Sequence, residues 1–473
     1  MFRMDPKYQK FLISALAPEG SFHNCSEIIK WIEERNAQVH VEIKLINFSE
    51  MSDWYLDEGV GRIRHKTGKF FSIDGIEVQT SVGPVRSWHQ PIINQPEIGF
   101  LGCIVKEFDG VLHFLVQAKI EPGNINKVQL SPTLQATRSN YTQQHQGKPP
   151  KYLDYFRDAS RANVLLDQLQ SEQGARFLNK RNRNIIVEVK ECMQIDEDFR
   201  WLTLGQIKKL LTFDNVINMD LRTVISGIPF DRCSLDSIEL CGNQSFLMTH
   251  FGKEMFGSAT NSDAGVLGLD EIISWLTELK ATNDLVVDRV PIQGLSDWTL
   301  SQEGISHKDH LYFDVRWASV AIENREVARW NQPIIAPLQN GITAFIIKKI
   351  DGLYHFLVQA KIEAGNFDIF EFAPTVQCIT GSYKDSPDTV PYLRYVFAAK
   401  KEYIRYNSLQ SEEGGRFYHE QNQSLIVEAE DDFPISVPNN YRWMTLNQLL
   451  YFIKFNNYLN IQSRSLISLI TFI

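Results

Sequence analysis

Alternating apolar and polar positions predict a strand over residues 113–121. Because successive side chains on a strand point to opposite faces, one face of this segment is apolar and suited to a core. The apolar face carries Phe114, Val116, Ala118 and Ile120. The opposite face carries His113, Leu115, Gln117, Lys119 and Glu121. A strand face of this second kind indicates either solvated side chains or the wall of a polar site.

Apolar runs and apolar positions at helical spacing predict the neighbouring elements. The predicted strands cover residues 39–43, 70–78, 99–108, 111–119 and 185–189. The predicted helices cover residues 25–36, 203–212 and 269–280. Asp109-Gly110 and Asp351-Gly352, each between two apolar runs, are typical of tight hairpin turns. Strands in runs, with helices at intervals, predict an α+β fold in which a mixed sheet is flanked by helices.

The chain contains this pattern twice. HFLVQAKIEPGN at residues 113–124 returns as HFLVQAKIEAGN at residues 355–366. The offset of about 240 residues far exceeds the roughly 20–50 residues of a solenoid unit, so it indicates a tandem duplication of a whole domain. We expect an N-terminal helical extension at 1–20, a first repeat at 21–227, a linker rich in Gly, Ser and Asn at 228–264, and a second repeat at 265–473.

The polar strand face recurs in the second repeat, at His355, Gln359, Lys361 and Glu363. Drift after a duplication scatters side chains that are merely solvated, so the recurrence favours a polar site with Gln117 and Gln359 in it. Trp88 and Trp330 precede a Gln-Pro pair in each repeat. Each tryptophan is either a core residue or a platform for a nucleobase, as are Tyr141 and Tyr383 in the later loops.

A loop of small and polar residues is a candidate phosphate site in each repeat. It reads Ser171-Glu172-Gln173-Gly174-Ala175-Arg176 and Ser411-Glu412-Glu413-Gly414-Gly415-Arg416. Successive backbone N–H groups in such a loop can hold an anion, and arginine binds phosphate through two hydrogen bonds. The alternative is a helix cap followed by surface arginines. Recurrence favours a diphosphate site, to which we add the residues that close the repeats: Arg222, Asn460, Arg464 and Ser465.

Composition narrows the function classes. Hydrophobic residues make up 43% of the 473 residues and charged residues 22%, as in ordinary globular proteins. The net charge of −9 leaves no basic surplus for a general nucleic-acid binder. The six cysteines form no CxxC pair, which argues against zinc and for reduced thiols in the cytoplasm. No apolar run approaches the ~18–20 residues that span a bilayer, so we expect no membrane contact.

Several cofactor motifs are missing from the sequence. It has no GxxxxGK[ST] phosphate loop, no GxGxxG after a strand and no GxSxG elbow. It also lacks the glutamate-rich metal box that defines Nudix pyrophosphatases. We therefore expect neither a metal nor an organic cofactor.

Long segments of both repeats resemble one family, the NDP-hexose 2,3-dehydratases of deoxysugar biosynthesis. The segments include WHQPII, HFLVQAKIEPGN, LQSEQGARF and WLTLGQI in the first repeat, and WNQPII, HFLVQAKIEAGN, SEEGGRFYHEQN and WMTLNQLL in the second. The resemblance covers about residues 20–473. It implies two Nudix-like domains in one subunit, a homodimer, no cofactor, and a dTDP- or similar NDP-linked 4-keto-6-deoxyhexose as substrate.

The implied reaction removes water across C2 and C3 of the sugar. It needs a base for the C3 proton, a donor for the enolate oxygen and an acid for the C2 hydroxyl. Candidates for these roles are Lys119, Glu121 and Tyr141 in the first repeat, and Lys361, Glu363 and Tyr383 in the second. The diphosphate is expected on the two small-residue loops and the nucleotide near Trp88 and Trp330.

Two rival functions stay open at this point: a non-catalytic nucleotide-sugar binding protein on the duplicated fold, and a degenerate Nudix hydrolase. The repeats also differ after their central strands. Pro122 becomes Ala364, and Arg138-Ser139-Asn140-Tyr141 becomes Thr380-Gly381-Ser382-Tyr383. Either both repeats bind nucleotide and one is catalytic, or one repeat is a scaffold.

Overall fold

The structure is a computed structural model that describes residues 6–137, 149–158, 161–234, 248–262, 264–323, 328–378 and 387–473. It is an α+β fold of two similar halves, as the sequence predicts. The first half contains α1 (Pro6–Ala15), α2 (Cys25–Gln38), β1 (Val41–Ile46), β2 (Trp54–Asp57), β3 (Arg62–His65), β4 (Ser72–Thr80), β5 (Ser87–Asn94), β6 (Gly99–Phe108), β7 (Val111–Ile120), β8 (Val128–Ser131), β9 (Leu134–Ala136), α3 (Asp154–Arg157), β10 (Asn163–Ser171), β11 (Arg181–Glu188), β12 (Phe199–Thr203), α4 (Leu204–Leu210) and α5 (Met219–Ser226).

The second half repeats this order of elements. It contains α6 (His250–Thr260), α7 (Leu269–Thr282), β13 (Leu285–Val290), β14 (Trp298–Leu300), β15 (Gly304–His307), β16 (Phe313–Ile322), β17 (Arg329–Pro337), β18 (Gly341–Ile350), β19 (Leu353–Lys361), β20 (Glu371–Ala373), β21 (Val376–Cys378), α8 (Leu393–Ala398), β22 (Ile404–Ser411), β23 (Gln421–Glu428), β24 (Tyr441–Thr445), α9 (Leu446–Phe452) and α10 (Ile461–Ser468).

Each half contributes a seven-stranded mixed sheet. In the first the strand order is β10-β11-β6-β7-β12, with β8 on β7 and β9 on β6; in the second it is β22-β23-β18-β19, with β20 and β24 on β19 and β21 on β18. The pairs β11–β6 and β23–β18 are parallel, whereas the other pairs in these sheets are antiparallel.

The two halves exchange a strand. Strand β1 of the first half pairs with β16 of the second, in a register that sets Val41 opposite Ile322. Strand β13 of the second half pairs with β4 of the first, with Leu285 opposite Thr80. These pairings belong to two five-stranded sheets, β1-β16-β15-β14 with β17 on β16, and β13-β4-β3-β2 with β5 on β4. Each of these sheets contains strands from both halves, so the repeats are not separate bodies on a linker.

Helix starts in both halves follow from capping residues. Thr203 and Thr445 each form a capping box with a glutamine three residues later, at the start of α4 and α9. Asn218 and Asn460 accept hydrogen bonds from the N–H groups of Leu221 and Ser463 and so begin α5 and α10. Matched caps place matched helices against the two central strands.

Part of the segment 228–264, which the sequence suggests as a linker, is helical. Helix α6 lies within it and buries Met255, Phe256 and Ala259 in the core. Ser258 of α6 donates to the Tyr354 carbonyl and accepts from the Leu446 N–H, as Ser14 of α1 does with Leu112 and Leu204. Helices α1 and α6 are therefore equivalent first elements of the repeats. The Gly- and Ser-rich composition around α6 is typical of a linker, which is why the sequence did not predict this amphipathic helix.

Candidate functional site

The polar site of each repeat is completed by a loop of the other repeat. The Gly123 N–H donates to the Gly414 carbonyl at 2.7 Å, and the His419 N–H donates to the Gly123 carbonyl at 2.8 Å. A Cβ on Gly123 would lie 1.5 Å from the Phe417 carbonyl oxygen, so only glycine permits this approach. Gly365 makes the same contacts with Gly174 and Asn179. The turn after each central strand thus docks on the opposite small-residue loop.

Three acidic side chains meet at the first of these junctions. One carboxyl oxygen from each of Glu121, Asp220 and Glu413 lies within 4.8 Å of the others, and we call these residues the carboxyl cluster. Glu121 follows β7, Asp220 lies on α5, and Glu413 comes from the loop after β22 of the second repeat. The buried Oε2 atoms of Glu121 and Glu413 have no hydrogen-bond partner among the residues that the structure describes. The cluster therefore offers carboxyl oxygens that can exchange protons with a ligand.

A chain of amides orients Glu121. Its Oε1 accepts from Gln135 Nε2 at 2.8 Å, and Gln135 Oε1 accepts from Asn218 Nδ2 at 3.2 Å. Asn218 is itself fixed as the N-cap of α5. Lys119 Nζ donates to the Gln135 backbone carbonyl at 3.1 Å, which holds the ammonium beside this chain. The start of α5 thus sets the direction of both Glu121 and Asp220.

Burial and mutual repulsion favour the protonated forms of Glu413 and Asp220. Desolvation, together with the neighbouring Glu121, raises the pKa of Glu413 to about 8, although Arg416 opposes the change. Desolvation also raises the pKa of Asp220 well above its usual value, with Glu413 and Glu121 adding to the effect and Lys119 opposing it. A carboxyl group with a pKa of about 8, as in Glu413, stays protonated at neutral pH and can act as a general acid.

The matching positions of the second repeat carry fewer acids. Gln377 Nε2 donates to Glu363 Oε1 at 2.8 Å, and Asn460 Nδ2 donates to Gln377 Oε1 at 2.6 Å, so the amide chain is preserved. However, the counterparts of Asp220 and Glu413 are Gln462 and Gln173. We call Glu363, Gln462 and Gln173 the amide set. Burial raises the pKa of Glu363, while Lys361, Gln377 and Arg176 lower it.

The small-residue loops have few N–H groups left for an anion. The N–H groups of Glu172 and Glu412 donate to the carbonyls of Lys180 and Glu420, each at 2.9 Å. Those of Arg176 and Arg416 donate back to residues 173 and 413 in the same loops. Ser171 and Ser411 donate their hydroxyl groups to Glu371 and Gln129, both at 2.9 Å. This geometry gives little support to the expected anion cradle.

Arg222 and Arg464 lie between the repeats, where the protein already satisfies their guanidinium groups. Arg222 is 1% exposed and donates to Ser465, Ile217, Gln410 and Ser411. Arg464 is also 1% exposed and donates to Thr223, Leu459 and Ser171. These contacts favour a structural role for both arginines and for Ser465, in place of the expected diphosphate contact.

The other two arginines pack on aromatic rings. The Arg176 guanidinium lies 3.9 Å from the centre of the Phe313 ring, and that of Arg416 lies 4.2 Å from the centre of the Phe71 ring. Arg416 also donates to Gln95 and to the Gly415 carbonyl. In contrast, Arg176 is buried, and within the described part of the chain its Nε and Nη2 have no hydrogen-bond partner. Arg176 therefore keeps donors that can meet an anion.

Each candidate tryptophan braces the loop of its own repeat. Trp88 and Trp330 donate from Nε1 to Gln90 and Gln332, both at 2.8 Å. Those glutamines donate to the carbonyls of Ala175 at 3.0 Å and Gly415 at 2.7 Å. Both rings are half-buried, and Trp330 packs in an apolar cluster with Ile120, next to Glu121. Trp330 thus belongs with the carboxyl cluster.

The remaining candidates divide between the surface, the core and the undescribed loops. Gln117 and Gln359 are half-buried, two residues before Lys119 and Lys361. His113 is fully buried instead of lining a site: its Nε2 accepts from the Ser21 N–H at 3.1 Å. Tyr141 and Tyr383 lie outside the described residues.

Asp220, Gln135 and Asn218 are site residues that reasoning from the sequence missed. None of the three belongs to a motif that the sequence analysis singled out. A residue-by-residue comparison of the two repeats would have singled out Asp220, because it and Glu413 are acidic where the matching positions are amides.

Similarity to known proteins identifies the family of this chain. The family model for NDP-hexose 2,3-dehydratase matches residues 25–228 and again residues 269–470. The chain belongs to this family. A relative from Saccharopolyspora spinosa, named dTDP-4-dehydro-6-deoxy-alpha-D-glucopyranose 2,3-dehydratase, is 44% identical over 462 residues, which cover 97% of this chain and 94% of the relative.

Relatives of the same name come from Amycolatopsis orientalis, 38% identical over 98% of this chain and 93% of the relative, and from Streptomyces violaceoruber, 40% identical over 93% of this chain and 95% of the relative. Each of the two matches to the NDP-hexose 2,3-dehydratase model coincides with one repeat, in agreement with a duplicated domain. None of the described helices is both long and apolar enough to cross a membrane.

Proposed function

We propose that this chain eliminates water across C2 and C3 of a dTDP-linked 4-keto-6-deoxyhexose, in deoxysugar biosynthesis, and that the carboxyl cluster performs the reaction. The substrate rests on the names of three relatives that are 38–44% identical over nearly the whole chain. The observation that carries the site is the group of three carboxyls at one junction, where the matching positions of the other repeat hold one acid and two amides.

The chemistry of the substrate explains why such a cluster is useful. The C4 ketone acidifies the hydrogen on C3, and the hydroxyl on C2 is β to that carbonyl. A base that removes the C3 proton therefore forms an enolate, and the electron pair returns to expel the C2 hydroxyl. Hydroxide is a poor leaving group, so an acid must protonate it as the C2–O bond breaks, and water departs.

We assign the roles from the hydrogen bonds. Glu121 is the base, because Gln135 fixes its Oε1 and leaves Oε2 without a partner. Glu413 is the acid, because its raised pKa of about 8 keeps it protonated at neutral pH. Lys119 is the cation that balances the enolate charge, and Asp220, whose pKa is raised by burial and by Glu413, is the further carboxyl beside the oxygen atoms that gain charge.

Nucleotide binding is assigned to the same junction. Trp330 is half-buried beside Ile120 and offers a ring face for the nucleobase. In the second repeat's junction, Trp88 and the partly unpaired Arg176 occupy the matching places. We propose that this second junction has no catalytic turnover, because the positions that match Asp220 and Glu413 hold amides, which cannot supply the proton that Glu413 supplies in the first junction.

The test uses four single substitutions and the substrate dTDP-4-keto-6-deoxyglucose, with a chelator and no added metal. Loss of one water is followed by mass spectrometry after reductive trapping, and exchange of the C3 hydrogen is followed in D₂O. Glu121→Gln should abolish both exchange and elimination. Glu413→Gln should retain exchange but eliminate water at least ~100-fold more slowly, because only the acid is lost.

Glu363→Gln and Gln173→Glu are the matched controls in the other repeat, and both should keep most of the elimination rate. If Glu363→Gln were as inactive as Glu121→Gln while remaining folded, the assignment to the carboxyl cluster would fail. A wild-type protein that binds dTDP tightly but leaves the sugar unchanged would refute the proposed activity itself.

Three further features are proposed from the resemblance. Each repeat is a Nudix-like domain, the chain forms a homodimer, and it works in the cytoplasm. The mixed seven-stranded sheet with flanking helices supports the first, and the free thiols of Cys25, Cys103, Cys192, Cys233 and Cys378 are compatible with the third. Light scattering on the purified protein tests the dimer, since a mass near the 54.5 kDa of one chain would exclude it.

A further inference from the structure

Arg222 connects the two elements that bring acidic residues into the carboxyl cluster from different repeats. It lies on α5, two residues after Asp220, and its Nη2 donates to the carbonyl of Ser411, two residues before Glu413. Its Nη1 donates to the Ile217 carbonyl at 2.6 Å and to Gln410 Oε1 at 3.2 Å. Its Nε donates to Ser465 Oγ at 2.8 Å. One buried side chain thus ties α5, the loop 411–416 and α10 together.

We propose that Arg222 is a positioning residue that fixes the separation between Asp220 and Glu413, and thereby the proton affinity of the cluster. Arg464 makes the mirror connection between α10 and the carbonyl of Ser171, but the matching positions beside it are Gln462 and Gln173. Arg222 and Arg464 therefore make equivalent contacts, but the residues beside Arg222 are acids and those beside Arg464 are amides. The catalytic part of this inference rests on the proposed function, whereas the electrostatic part does not.

The charged groups around Glu413 determine how its pKa would change if the loop 411–416 were held less firmly. Glu413 faces Glu121 after β7, Asp220 on α5, Glu172 in the opposite loop, Lys180 before β11 and Arg416 in its own loop. The acidic neighbours raise the pKa of Glu413 and Arg416 lowers it. If the loop moved away from α5 and towards solvent, both the repulsion and the desolvation would weaken. The pKa of Glu413 would then fall towards the ordinary value of a glutamic acid.

Lysine is the informative replacement. Its single ammonium keeps a positive charge but cannot reach carbonyl and hydroxyl acceptors on three sides at once, as the planar guanidinium does. Arg222→Lys should therefore loosen the loop 411–416 without reversing any charge. Arg464→Lys removes the matching set of contacts from the other loop, so it controls for the general cost of losing a buried arginine.

The first readout is the carbonyl stretch of protonated carboxyl groups, followed by infrared difference spectroscopy during a pH titration of the full-length protein. Glu413→Gln identifies the band of Glu413. We expect Arg222→Lys to lower the titration midpoint of that band by about one pH unit. Arg464→Lys should shift the midpoint much less, because Glu172 is the one acid of the loop held by Arg464 that raises the pKa of Glu413. This measurement needs no turnover, so it stands even if the proposed reaction is wrong.

The second readout is the pH dependence of elimination. Arg222→Lys should lower kcat about 100-fold and move the alkaline limb of the profile towards lower pH, with a smaller effect on KM. Arg464→Lys should move that limb much less than Arg222→Lys does. If Arg222→Lys fails to fold, Ser465→Ala removes only the Nε acceptor and should shift the infrared midpoint in the same direction by a smaller amount. An unmoved midpoint in both variants, or an equal shift with Arg464→Lys, would overturn the proposal.

Discussion

Lys208 is a buried lysine that forms no ion pair with the described residues, and it leads to a measurable prediction about stability. It lies on α4 with 5% of its surface exposed, and its ammonium donates to the Ser468 carbonyl at the end of α10. Burial lowers the pKa of Lys208 from 10.5 to about 7. The matching residue in the second repeat is Leu450, which is 2% exposed. Lys208→Leu therefore places in the first repeat a side chain that the fold already accommodates in the second.

The magnitude follows from linkage between protonation and folding. Between the folded pKa of about 7 and the unfolded value of 10.5, the unfolded chain binds more protons, so wild-type stability rises with pH across this window. At pH 7 the penalty is about 4 kcal/mol, at about 1.4 kcal/mol for each pKa unit. Loss of the hydrogen bond to Ser468 offsets about 1 kcal/mol. Lys208→Leu should thus stabilise the protein by about 3 kcal/mol at pH 7.

Guanidinium unfolding at several pH values from 7 to 10 measures this effect. The advantage of Lys208→Leu should shrink by about 1.4 kcal/mol for each pH unit and vanish near the upper end of the range. Lys209→Leu is the control, because Lys209 is the exposed neighbour on the same helix, and it should change stability by less than about 0.5 kcal/mol at every pH. The reasoning is refuted if Lys208→Leu is less stable than wild type at pH 7, or if its advantage does not depend on pH.

Three further predictions concern the junctions. Elimination should slow above about pH 8, as the pKa of Glu413 is passed and the acid is lost; a profile that stays flat to pH 10 contradicts this assignment. Gln135→Met should lower kcat about 10-fold with little change in melting temperature, because Glu121 loses the donor that orients it. Gly123→Ala and Gly365→Ala should both destabilise by more than about 2 kcal/mol, measured by urea unfolding, since a Cβ at either site meets a backbone carbonyl.

The repeat and many local elements can be read from the sequence because their signals are local. The alternation over residues 113–121 and the capping threonines at 203 and 445 each depend on a few neighbouring residues. Lys119 and Glu121 could be singled out for the same reason, together with Lys361 and Glu363.

The exchanged strands and the carboxyl cluster could not be read in this way. Nothing within β1 indicates that its partner is β16 in the other repeat, because strand pairing is set by contacts distant in sequence. Asp220 and Glu413 become neighbours of Glu121 only through that arrangement. Arg222 and Arg464 were misleading, because the local sequence around an arginine does not tell whether it bridges two repeats or binds phosphate.

The exchange of β1 and β13 bears on how the two junctions came to differ. In a symmetric dimer of single repeats, both junctions would be built from the same gene, and any substitution would appear in both at once. A single chain carries a separate codon for each position, so one junction can lose its acids without harming the other. The exchanged strands keep the halves locked in the geometry of such a dimer. A fused chain can therefore change the residues of one junction while the other junction keeps its own.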